Sequence, residues 1–151
     1  MVGMITKVLL WIWQFPQMIA GRVMILILKA EKRETEGYIW YQFKNDFLSG
    51  VSLGSTTLLK RECLTTIKHE YGHYTWSKYL GILYLVVIGI PSVIANLKSK
   101  RLNGWTTYDK MYWYYKLNWT ERIADKSGGV DRDIELRKRW DPHAVHRYPQ
   151  V

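Results

Sequence analysis

An α+β fold is what this sequence predicts: a small β-sheet followed by two helices that carry polar motifs, with an apolar helical segment ahead of them. Three observations carry the prediction. Aromatic and β-branched residues cluster at 38–43, and residues 47–59 read as extended chain. Apolar side chains then recur at helical spacing through Leu64, Ile67, Tyr71 and Tyr74, up to a stop at Gly81. A second helical run around residues 119–126 is broken by Gly128-Gly129. The 151 residues form one domain, large enough for a modest core.

Residues 1–37 divide into an apolar helical segment and a charged linker. From Met1 to Leu28 the plainly polar interruptions are Thr6, Lys7, Gln14, Gln17 and Arg22, and Pro16 splits the run at its middle. A bilayer span needs about 20 uninterrupted apolar residues, and the small-residue cleavage site of a signal peptide is missing. Two readings stand: a kinked helix lying in a membrane interface with Trp11 and Trp13 at headgroup depth, or a helical hairpin packed on the domain. The charged stretch at 29–37 reads as a solvated helix end or linker.

Two or three short strands are expected between Tyr38 and Leu59, with Asn45-Asp46 as a turn signal. The next helix is expected from about Arg61 to Leu80, with Cys63 inside its apolar pattern as a buried structural thiol. On its other side Glu62, Thr66, His69, His73 and Trp76 face a cleft. Residues 79–97 then run for nineteen positions without a charge, interrupted at Ile90-Pro91 and followed by Lys98, Lys100 and Arg101. That stretch is either a membrane-inserted segment with a cytoplasmic flank or a core segment that breaks at 89–91 and returns toward the site. Residues 105–119 hold three Trp and four Tyr, too polar for a span but suited to an interface. The basic tail, 131–151, carries His143 and His146 in an irregular surface segment.

Composition narrows the partners. Net charge is +9, favouring an anionic surface, and the absence of any helix-turn-helix, finger or stacking signature favours a membrane over nucleic acid. The lone Cys63 provides no disulfide framework. Membrane association is the expected location, a cytoplasmic one the alternative.

The chemistry sits in His69-Glu70-Tyr71-Gly72-His73, an H-E-x-x-H arrangement that takes half of the chain's four histidines. On a helix, residues four apart lie on one face, so two imidazoles can hold one metal ion. Glu70 is rotated off that face and reaches a water on the metal without binding the metal itself. Neutral imidazole suits zinc, which lowers the pKa of bound water to about 7. A third ligand is required. The H-E-x-x-H-x-x-G-x-x-H extension is excluded, because Trp76 and Tyr79 stand at its last two positions. Glu121 and Asp125, one helical turn apart beside small Ala124, offer a ligand and a hydrogen-bond acceptor for a ligating histidine. The competing reading is a solvated helix face, with Arg122 and Lys126 as partners.

H-E-Y-G-H followed by E-R-I-A-D resembles the Glu-liganded zinc metallopeptidases (gluzincins), most closely the CAAX prenyl endopeptidase and HtpX-like membrane enzymes. The match covers residues 68–81 and 121–129. It implies a zincin-like catalytic core over residues 38–130, with Zn2+ held by His69, His73 and Glu121. Glu70 is then general base and acid, and Asp125 orients a histidine. It further implies that Val51–Leu59 is an edge strand that pairs with a peptide or protein substrate. A tyrosine from 105–119 is a candidate donor to the oxyanion, without the spacing selecting one. This chain is much shorter than those enzymes. The alternative is a non-catalytic, membrane-associated zinc protein of the same fold, serving a structural or binding role.

Overall fold

The computed structural model describes residues 12–44, 50–101 and 107–132. It is α+β, with five α-helices and a mixed four-stranded sheet among the described residues. Trp11, the 45–46 turn signal, Trp105 and the tail histidines His143 and His146 lie outside them.

Helix α1, Phe15–Ile27, has Pro16 in its first turn, where a missing N–H leaves no bond unmade. Residues 12–13 are also helical and residue 14 is a turn, so the helical run breaks just ahead of Pro16. After Lys29, the segment expected as a linker is strand β1, Glu31–Thr35, which pairs antiparallel with β2, Tyr38–Gln42. The sheet thus begins ahead of residue 38. The overlooked signal was Glu36-Gly37. Both residues take positive φ, 48° and 79°, as a two-residue hairpin turn requires. The charged residues fit a strand here because β1 is an exposed edge that tolerates Glu, Lys and Arg.

Strands β3, Gly50–Leu53, and β4, Thr56–Leu59, form a second hairpin. Strand β4 also pairs parallel with β2, so the sheet order is β1-β2-β4-β3. Strand β4 is central and buried throughout, so of the edge strand expected over Val51–Leu59 only the β3 part lies at the sheet's edge. Trp40, Leu59 and Ile67 make the apolar core between sheet and helix, with Tyr38 and Tyr71 packed on it.

Helix α2, Leu64–Leu80, begins three residues later than expected. Cys63 is its extended N-cap residue and only partly buried, not an interior thiol. Glu62 therefore lies outside the helix and away from the site, exposed and accepting a hydrogen bond from Thr35 Oγ1 at 2.8 Å. The Tyr71 hydroxyl accepts from the Ile39 N–H and donates to the Ile39 carbonyl at 2.9 and 3.0 Å, pinning α2 to β2.

Beyond Gly81 the apolar stretch makes a π-helical turn, Leu85–Gly89, that runs into α3, Ile90–Lys100. Among the described residues no helix is long and apolar enough to cross a membrane. Helix α4, Thr107–Tyr112, runs through a second π-turn, Trp113–Leu117, to α5, Trp119–Gly128. The Asn118 side chain caps α5 by accepting from the Thr120 N–H at 3.2 Å.

Candidate metal centre

Helices α2 and α5 cross in near-contact because their sequences carry no side chain there. A Cβ on Gly72 would meet the Ala124 carbonyl oxygen at 1.9 Å, and one on Gly128 would meet that of Lys68 at 2.0 Å. Glycine in a helix interior costs about 1 kcal/mol relative to alanine; here it permits backbone approach. That approach brings residues some fifty positions apart in sequence onto one another.

At the crossing, His69, His73 and Glu121 are all buried, with one donor atom from each lying within 4.8 Å of the others. Glu121 Oε2 stands 3.0 Å from His69 Nε2 and 3.6 Å from His73 Nε2. Among the described residues Glu121 Oε2 has no hydrogen-bond partner. A fully buried carboxylate oxygen is left bare only where something electropositive compensates it. Two imidazole nitrogens and that oxygen converge on one point. The group can hold a metal ion, and its donor set is that of an open His₂Glu zinc site.

The neighbours hold these donors in place. His69 Nδ1 meets Asp125 Oδ1 at 2.7 Å, so its proton sits there and leaves Nε2 facing the cluster. Burial opposes a cationic His69, but the Asp125 hydrogen bond and the nearby Glu121 and Glu70 carboxylates outweigh it and hold the imidazole up to about 9. A metal ion competes with that proton for the same lone pair. Burial likewise opposes a charged Glu121, yet the close His69 and His73 imidazoles hold its carboxyl well below the usual range.

Two residues absent from the sequence reading complete the support. Ser92, in the first turns of α3, donates to Glu121 Oε1 at 2.5 Å and lies 3.3 Å from the Tyr114 hydroxyl. The other carboxylate oxygen is thereby occupied and Oε2 is turned to the histidines. This is the returning path of the interrupted 79–97 stretch, and nothing local marks Ser92 in sequence. Arg132 grips Asp125 with two bonds, Nε to Oδ2 at 3.0 Å and Nη2 to Oδ1 at 2.5 Å. Its guanidinium lies 3.9 Å over the Tyr115 ring. Asp125 is thus held from both sides and kept below the ordinary carboxylate range, its burial outweighed by His69 and Arg132. Arg122 and Lys126, the partners of the solvated-face reading, are exposed, while Glu121 and Asp125 are buried.

Glu70 lies beside the cluster and is only 6% exposed. Burial raises its proton affinity, against the pull of His69 and His73. Its Oε1 would be 2.8 Å from a Cβ on Gly50, so the carboxylate rests against the backbone of edge strand β3. Tyr84, also unforeseen, packs edge-on to His73 with centroids 6.3 Å apart. Burial pushes the hydroxyls of Tyr84 and Tyr114 above the usual phenol range, with the Glu121 charge adding to it, so both stay protonated donors. Of the second stretch predicted to face the site, Thr66 is only partly buried, and Trp76 donates to Ser127 Oγ at 2.9 Å on α5. No family model, curated protein or solved structure matches this chain, so its chemistry is read from these side chains alone.

Proposed function

We propose that this chain is a zinc-dependent metallopeptidase with a zincin-like core, in which His69, His73 and Glu121 hold the ion. The observation that carries the reading is the bare, buried Glu121 Oε2 facing two imidazole Nε2 atoms, with a further buried carboxylate, Glu70, beside them. Zinc held there would supply Lewis-acid chemistry for peptide hydrolysis. Glu70 would accept the proton of an attacking water and pass it to the leaving amine nitrogen. Its raised proton affinity suits both halves of the exchange, since the group must hold a proton between the two transfers. Asp125, gripped by Arg132, keeps His69 in the tautomer and orientation a ligand needs. Ser92 does the same for Glu121.

The edge strand supports a peptide as substrate. Strand β3 ends the sheet, and its Gly50 touches the Glu70 carboxylate. An extended segment adding to β3 by main-chain bonds would pass directly by the general base. Such bonds tolerate varied side chains.

Metal analysis and turnover on an unstructured protein substrate test the reading together. Wild type is expected to carry one zinc per chain and to cleave. Glu70→Gln keeps the zinc and loses turnover by at least about a hundredfold, the lower end of what general-base catalysis contributes. Glu121→Ala loses the zinc. A Glu70→Gln variant that cleaves at the wild-type rate overturns the mechanism. A zinc with four protein ligands by X-ray absorption and no turnover decides for the non-catalytic alternative.

A further inference from the structure

Helix α1 is built inside out. Its buried face carries Gln14, Gln17 and Gly21, while Phe15, Ile19, Val23 and Leu26 point outward at helical spacing. Gln17 is fully buried and Leu26 is 76% exposed. The inner amide nitrogens are engaged: Gln14 Nε2 donates to Ser77 Oγ at 3.0 Å, and Gln17 Nε2 donates to the Gly81 carbonyl. Gly21 abuts Thr56, so the helix has no freedom to roll its apolar face inward.

The same exposure continues on a neighbouring element. Among the described residues, sixteen of the eighteen exposed large apolar side chains sit on two stretches, seven on residues 12–27 and nine on residues 79–97. The two meet at Gly81, which lies against the Trp13 ring and receives the Gln17 bond. Water-soluble surfaces rarely expose contiguous apolar patches beyond a few hundred Å². Scattered exposure is ordinary; this is concentrated.

Charge selects the occupant. No Asp or Glu occurs before Glu31, and none occurs between Glu70 and Asp109. Both apolar stretches are therefore free of acid and bordered by cations, with Arg22, Lys29, Lys98 and Arg101 all exposed. A second copy of the chain would bring like charges to the same border. Anionic headgroups neutralise them while acyl chains receive the apolar side chains, and Trp13, exposed at the edge of the site, suits headgroup depth.

We infer that α1 and residues 79–97 form a docking surface for an anionic phospholipid bilayer, on which the protein lies without crossing it. No described helix is long and apolar enough to span, whereas an amphipathic helix lies in the interface with its apolar face about 5–10 Å deep. The inference is independent of whether the metal centre is catalytic.

Co-sedimentation with vesicles of phosphatidylcholine alone, and of equimolar phosphatidylcholine and phosphatidylglycerol, tests it on the full chain. Binding to the anionic vesicles is expected to be at least about tenfold tighter and to weaken as salt rises. Leu26→Glu and Leu83→Glu are each expected to lose at least about tenfold in vesicle binding. Ile39→Glu, exposed on β2 and off this face, keeps wild-type binding. Circular dichroism and Tm without lipid are expected to be unchanged in all three. Equal binding by the face variants and wild type overturns the inference, as does an absence of vesicle binding together with concentration-dependent dimerisation. A Tm loss of several degrees in the face variants without lipid also overturns it, because the face would then be covered by the chain itself.

Discussion

The crossing of α2 and α5 and the face made by α1 with residues 79–97 break the usual rule of burial in opposite senses. The crossing buries two histidines, three carboxylates and an arginine, while the face leaves large hydrocarbon side chains outside. Among the described residues, buried polar or charged side chains outnumber buried hydrophobic ones, fourteen to nine. A buried charge is tolerable only when paired, and an apolar patch is expensive only against water. At the crossing His69, Asp125 and Arg132 are paired with one another, while His73 Nδ1 and Glu121 Oε2 have no hydrogen-bond partner among the described residues, and Glu121 Oε2 faces two imidazoles. The outward face instead leaves large hydrocarbon side chains exposed. The first anomaly is one that a bound cation would complete, the second one that a less polar solvent would cover.

The sharpest way to break the comparison is to separate the helices. Gly72→Ala places a methyl group against the Ala124 backbone, which has no rotamer through which to yield. The expected cost is about 3 kcal/mol, the upper end of overpacking, together with loss of the metal. Denaturant unfolding and metal analysis of the same preparation check both. A variant as stable as wild type means that the crossing is looser than described here.

Asp125→Asn comes next, with zinc retention or activity lower by about 10–100-fold, because the His69 tautomer loses its anionic anchor and Arg132 its partner. Competition with a chelator measures it. If Asp125→Asn matches wild type while Glu121→Ala still loses zinc, Asp125 has no part in holding His69. Ser92→Ala removes the donor to Glu121 Oε1 and is expected to weaken zinc binding by about tenfold, near the lower end for a hydrogen bond to a charged group. Thr120 Oγ1, 3.4 Å from the same oxygen, limits the loss.

The smallest effect belongs to the outward face. Val23→Thr in lipid-free solution should change unfolding free energy by less than about 0.5 kcal/mol, as for a surface site. Metal binding should be unaffected. A loss of 2 kcal/mol or more, by contrast, would mark Val23 as core and erase the contrast between the two regions.

Legibility in the sequence followed the range of the interaction. The i, i+4 spacing of His69 and His73, the Gly81 stop and the break at Gly128-Gly129 were readable because helix geometry alone dictates them. Glu121 was placed as a candidate by its spacing to Asp125, and Asn118-Trp-Thr-Glu121 also spells a helix start that was passed over. The β1–β2 hairpin was missed because its edge strand is charged, although the turn residues were present. The sheet order was beyond reach, since a parallel pairing of β2 with β4 leaves no local trace.

What the sequence by itself determined, then, was which groups of atoms share a helical face, since that depends on rise and rotation per residue alone. It also determined the acid-free, cation-bordered character of both apolar stretches. Tertiary packing alone decided that Glu121 Oε2 meets His69 and His73, that Ser92 and Arg132 hold the carboxylates, and that α1 turns its glutamines inward. The reason is physical. These contacts join residues tens of positions apart, and their geometry is set by how closely two backbones can approach at Gly72 and Gly128. Only the packed chain specifies that distance.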